Sequence, residues 1–181
     1  MNIIKFALII ALFTAFTINA EAGNADQMNR CSDLVRQRSA ALTVRDWNNL
    51  ERLAKKYIVD CKTVVGDESL SYAYLDIATS LFERSRYKEA IEAADAGINL
   101  KYDDPGNHLI KARAYMMLKD NQNAIENLNK TEKIAQLALN NCQEELKYAD
   151  SNNMKMINSH MNYLKSMLEI IVALREKLQV P

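Results

Sequence analysis

Tyr87-Lys88-Glu89-Ala90-Ile91-Glu92-Ala93-Ala94 returns 34 residues later as Asn121-Gln122-Asn123-Ala124-Ile125-Glu126-Asn127-Leu128. The same offset pairs Ala78 with Ala112 and Leu81 with Tyr115 upstream of the two copies. A fixed period of this length, holding two helical segments, marks one helical hairpin repeated. The residue types suit that reading. Small residues let two helices approach closely, and the larger apolar residue one turn on fills the gap to the neighbouring pair.

Working outward, the chain reads as about seven helices. They run from about Asp26 to Leu42, Asp46 to Cys61, Asp67 to about Arg84, Tyr87 to Leu100, Gly106 to Leu118, Asn121 to about Ala149, and Met154 to about Leu178. Asp46 and Asp67 are expected N-caps, and Tyr102-Asp103-Asp104-Pro105-Gly106 is the clearest break. The sequence holds only 4 Gly and 2 Pro among 181 residues, which favours helices joined by short loops over a many-stranded sheet. Such loops make consecutive helices antiparallel neighbours.

The repeated text resembles the tetratricopeptide repeat family. Ala78-Thr79-Ser80-Leu81 and Ala112-Arg113-Ala114-Tyr115 look like its first-helix packing segment, and the two quoted stretches like the opening of its second helix. The resemblance covers about residues 71–134. Tyr74 stands at the signature Trp, Ala78 at the signature Gly, and the closing Pro arrives late, at Pro105. It implies an all-α fold: a right-handed array of antiparallel hairpins of two to three repeats, closed by a long C-terminal capping helix. Residues 26–66 read as a degenerate first hairpin, with Leu50 and Ala54 matching Ala90 and Ala94 at an offset of 40. Residues 67–134 are the repeats and 135–181 the cap, in one domain from residue 23 onward.

In that family the first helix of each unit lines a concave groove. The resemblance therefore implies groove positions at Tyr72, Leu75, Thr79, Phe82, Leu109, Arg113 and Met116, a surface suited to a protein or peptide partner. The Lys/Asn/Arg set of the carboxylate-clamp subfamily is absent from these positions. The last helix carries Met154, Ile157, Met161, Leu164, Leu168, Ile171 and Leu178, mostly at spacings of three and four. That stripe must be buried. It could cap the array, fill the groove, or form the seam of a homodimer; monomer and homodimer are both open.

Residues 1–22 read as a secretory signal: Lys5, an apolar run from Phe6 to Ile18, then Ala20-Glu21-Ala22, with cleavage after Ala22 or Ala20. The expected location is periplasmic or secreted, with no later segment apolar enough to cross a membrane. An oxidising compartment permits disulfides. Cys31 and Cys61 lie about 18 Å and 22 Å of helix from the turn between them, at 1.5 Å per residue, so an antiparallel hairpin brings them together. Cys142 then falls on an apolar stripe as a buried small hydrophobe.

Lys plus Arg equals Asp plus Glu at 23 each, which offers no basic excess for nucleic acid. The 2 histidines, His108 and His160, make no metal-ligand spacing with cysteine or carboxylate, and no phosphate-binding glycine loop is present. His108 reads as a surface residue beside a helix cap. Only Cys142 and His160 could make a catalytic dyad, without an orienting acid. The expected function is a non-catalytic binding module with no cofactor. An immunity protein that neutralises a periplasm-acting toxin is one alternative, and a self-assembling protein joined through its last helix is another.

Overall fold

The computed structural model describes residues 24–179, the side chain of Gln179 excepted, and the signal segment with both cleavage positions lies outside the described residues. All regular structure among the described residues is helical. These residues divide into two compact units at the Gly66–Asp67 boundary.

The first unit is one hairpin, α1 over residues 24–43 and α2 over Trp47–Cys61. Cys31, Leu34 and Ala41 of α1 are buried, as are Leu50, Leu53, Ala54, Tyr57 and Cys61 of α2. The Cys31–Cys61 bridge closes the open end, with Cα atoms 5.8 Å apart, as the helix lengths require. Gln27 Nε2 reinforces that end by donating to the Asp60 carbonyl at 2.6 Å and to Thr63 Oγ1 at 3.0 Å. Farther along, the Arg38 guanidinium lies 4.7 Å from the Tyr57 ring centre.

The second unit holds α3 (Asp67–Glu83), α4 (Tyr87–Leu100), α5 (Pro105–Met117), α6 (Asn121–Leu146) and α7 (Ser151–Gln179). Consecutive helices pack together, and α3 also meets α5. The repeated alanines do what their size predicts. Ala78, Ala90, Ala94, Ala112 and Ala124 are fully buried at the helix crossings. Ala78, Ala94 and Ile110 form one small core with Leu75, Phe82 and Ala93 packed against it.

The same turn joins α1 to α2, α3 to α4 and α5 to α6. Arg45, Ser85 and Lys119 occupy the left-handed region, at φ 57, 60 and 62°. The following amides of Asp46, Arg86 and Asp120 each donate to the carbonyl five residues back, on Ala41, Leu81 and Tyr115. This is a Schellman helix end, repeated three times. Asp46 and Asp120 then cap the next helix by accepting from the Asn49 and Asn123 amides. Two of the left-handed positions stand 34 apart and the other pair 40 apart, so α1–α2 is a copy of the same hairpin despite its degenerate sequence. Most of the six extra residues lengthen α3, which has 17 residues against 13 in α5.

Several boundaries differ from the sequence reading. Helix α5 begins at Pro105 and not Gly106, because proline is preorganised for the first helical position and Asp104 caps it through the Gly106 amide at 2.8 Å. Asp67 lies inside the first turn of α3 and does not precede it. Helix α6 stops at Leu146, and α7 starts early, at Ser151, because Asp150 accepts from the Asn152 and Asn153 amides at 3.0 and 2.9 Å.

Helix α7 caps the array. Ile157, Met161, Leu164, Leu168, Ile171 and Leu178 pack with Leu128, Ala135, Leu139 and Cys142 of α6 and with Leu109 and Ala112 of α5. Met154 is exposed and outside this core, while Met167 and Leu174 join it. Near the far end of α7, Arg175 donates to both Glu132 carboxylate oxygens at 3.1 and 2.7 Å and to Asn129 Oδ1 at 2.6 Å. That guanidinium holds the Glu132 carboxyl below the usual carboxylate range. No helix among the described residues is long and apolar enough to cross a membrane.

Candidate functional site

Helices α3 and α5 are neighbours, so their candidate groove positions lie on adjacent elements. Phe82 and Arg113 are brought together: the guanidinium carbon lies 4.3 Å from the ring centre. Arg113 also reaches the Glu83 carboxylate at 3.5 Å, and Tyr87 lies 5.5 Å from Phe82, centre to centre. This leaves a half-exposed cation over an aromatic face.

Tyr72 is exposed and sits in a charged setting. Its hydroxyl donates to Glu68 at 3.2 Å, and the Lys101 ammonium, paired with that carboxylate, lies 5.7 Å from its ring centre. The Lys101 ammonium pulls the Glu68 carboxyl below its usual range. Burial pushes the Tyr72 hydroxyl up, against the opposing pull of Lys101.

Leu75 and Leu109 are half-buried and also pack on the core. Leu75 packs on the Ala78–Ala94–Ile110 cluster, and Leu109 on the cluster that α7 closes. Thr79 and Met116 are half-buried.

Tyr163 of α7 is a neighbour of these residues that the sequence reading left out. It is half-exposed, yet its hydroxyl is pushed up to about 12, chiefly by burial, with the Asp104 carboxylate and Tyr72 adding to the effect. The sequence signal was available, since Tyr163 lies midway between Met156 and Ile170, seven residues from each and off the main stripe.

Behind this surface lies a buried polar cluster. The Ser71 hydroxyl stands 3.0 Å from both the Gly97 carbonyl and Asp104 Oδ2. Asn107 Nδ2 donates to Asp104 Oδ2 at 2.8 Å and to Ser71 Oγ at 3.1 Å, while Asn107 Oδ1 has no partner. The cluster ties α3, α4 and α5 together in a fixed register.

His108 is buried, contrary to the surface position expected of it. It lies on the same helical face as the fully buried Ala112, four residues on, where Nε2 donates to the Tyr102 carbonyl at 3.1 Å and Nδ1 lies 3.5 Å from Asn127 Oδ1.

Cys142 and His160 do meet, Sγ to Nδ1 at 3.6 Å. Burial pushes the Cys142 thiol up, with Glu145 adding to it, so the sulfur is held as the neutral thiol and not as a nucleophilic thiolate. Among the described residues no three His, Cys, Asp or Glu side chains converge to hold a metal ion.

No family model matches the sequence, and no curated protein matches it significantly. Solved structures do match. PcrH of Pseudomonas aeruginosa, in complex with the chaperone-binding region of PopD, has a TM-score of 0.56 at 11% identity, over 81% of this chain and 94% of that one. SycD, a type III secretion translocator chaperone of Yersinia enterocolitica, has a TM-score of 0.54 at 13% identity, over 82% and 96%. The TPR2B domain of yeast Sti1, in its pHsp70 complex, has a TM-score of 0.52 at 16% identity, over 75% and 96%. The chain has the tetratricopeptide-like helical-repeat fold.

Proposed function

We propose that this chain is an exported, non-catalytic module that binds a protein segment on the surface formed by α3, α5 and the flank of α7. The observation that carries the reading is Arg113 seated over the Phe82 ring, on helices adjacent to the exposed Tyr72. Amphipathic aromatic rings and a preoriented guanidinium are the residue types that dominate protein-binding surfaces. Arg113 favours a segment carrying an acidic or carboxylate group. The similar structures PcrH and the Sti1 domain hold protein partners in their complexes, which supports a protein ligand here. The neutral Cys142 thiol supports a role without nucleophilic chemistry.

Export to the periplasm rests on the apolar leader and on the Cys31–Cys61 bridge, which an oxidising compartment maintains. A narrower partner class, a toxin acting in the periplasm, fits a small exported binder. A neighbouring gene for an exported toxin, and protection of cells that express this chain, would support it.

The test is affinity capture from envelope extract, followed by titration with the purified partner. Tyr72→Asp changes an exposed position and Arg113→Glu a half-exposed one, and helicity by circular dichroism verifies folding. Loss of at least tenfold in affinity, about 1.4 kcal/mol, supports the surface. Undiminished binding in both folded variants removes it.

A further inference from the structure

The core-facing stripe of α7 is satisfied by α5 and α6, but a second apolar row on the same helix is not. Met156, Tyr163 and Ile170 recur every seven residues and are 72%, 50% and 43% exposed. Three residues after each, at the matching heptad positions, stand Ser159, Ser166 and Ala173, all exposed. The face thus alternates large and small residues over about 26 Å, at 1.5 Å per residue, with no charge inside it. A heptad row of this length is the pattern of a helix–helix seam.

The pattern also selects its occupant. When a second α7 is laid antiparallel across the first, with the two-fold axis between Tyr163 and Ser166, every large residue meets a small one. Met156 meets Ala173 of the second copy, Tyr163 meets Ser166, and Ile170 meets Ser159. The flanking positions in that same register pair Lys155 with Glu176 and Asn162 with Glu169. A parallel arrangement sets large against large. This register overlaps all six row positions, and its flanking charges are compatible with it.

From this self-complementarity we propose that two copies of the chain dock through this outer face of α7 as an antiparallel, two-fold symmetric pair. The seam is distinct from the Ile157–Leu164–Ile171 stripe, which capping consumes. It meets the proposed binding surface at Tyr163, and the two readings are separated by the partner-binding arm of the test below.

The test is sedimentation equilibrium on the protein recovered after expression of the full chain, over a range of micromolar concentrations. The expected result is a species of twice the single-chain mass, on a non-reducing gel free of intermolecular disulfide. Ser166→Glu places two carboxylates at the axis and shifts the distribution to single chains while helicity is retained. Lys155→Glu weakens the pair several-fold, and Lys155→Glu/Glu176→Lys restores it. A single-chain mass at every concentration overturns the proposal. So does a dimer indifferent to Ser166→Glu, or a charge-reversed double variant no tighter than the single one. Partner binding measured on Ser166→Glu tests the groove separately.

Discussion

The Asn107 amide lies directly against Gly97, so that a methyl group on that glycine would stand 2.5 Å from Asn107 Nδ2 and 2.7 Å from its Cγ. Asn107 cannot swing away freely, because its amide nitrogen is held by Asp104 and Ser71. In an isolated helix Gly→Ala stabilises by about 1 kcal/mol. Here the overlap reverses the sign, and Gly97→Ala is expected to destabilise by about 1–2 kcal/mol in urea unfolding. Gly97→Ala/Asn107→Ala should recover much of the steric part of that loss. Equal losses in the single and double variants would place the cost elsewhere.

The three left-handed turn residues carry a cost that glycine would not. Lys119 at φ 62° and Ser85 at φ 60° are exposed and branch at no β-carbon. Replacing either with glycine should raise stability by roughly 0.5–1 kcal/mol, as relief of left-handed strain outweighs the added chain entropy. Ser85→Val should lower it by a similar amount or more. Thermal midpoints of the three variants decide it.

The Cys31–Cys61 bridge spans 30 residues. Chain entropy assigns such a closure about 3–4 kcal/mol. Cys31→Ser/Cys61→Ser should therefore unfold the first hairpin at distinctly lower urea, while α3–α7, which the bridge does not cross, keep their helicity. A variant whose first hairpin melts with the wild-type midpoint would contradict this.

Tyr163 should be the last tyrosine to ionise among the 8 in the chain, followed as tyrosinate absorbance. Its hydroxyl titrates at about 12 in the folded protein against about 10 when unfolded. Below pH 10 both states are protonated and the shift has no effect. Between pH 10 and 12 the unfolded state releases the proton first, so stability falls as pH rises. Tyr163→Phe should remove the latest step of the titration and soften that alkaline loss. If the latest step survives in Tyr163→Phe, it belongs to another tyrosine.

Much of this architecture was legible because it is local and periodic. The 34-residue period, the hairpin pairings and the Cys31–Cys61 bridge follow from helix rise, short loops and residue size, quantities that act over one or two neighbouring helices. The three matching Schellman turns were less legible, since Arg45, Ser85 and Lys119 are not the glycines that usually announce them.

What the sequence by itself determined was thus the helices, their order and the stripe that each must bury. Only the tertiary structure decided which neighbour each stripe meets. It turned His108 inward, packed one edge of Leu75 and Leu109 on the core, and closed Ser71, Gly97, Asp104 and Asn107 into one polar cluster. The reason is physical: periodicity gives the direction of a side chain around its own helix, whereas contact between distant segments depends on the relative rotation and height of two helices, which packing of the whole unit sets.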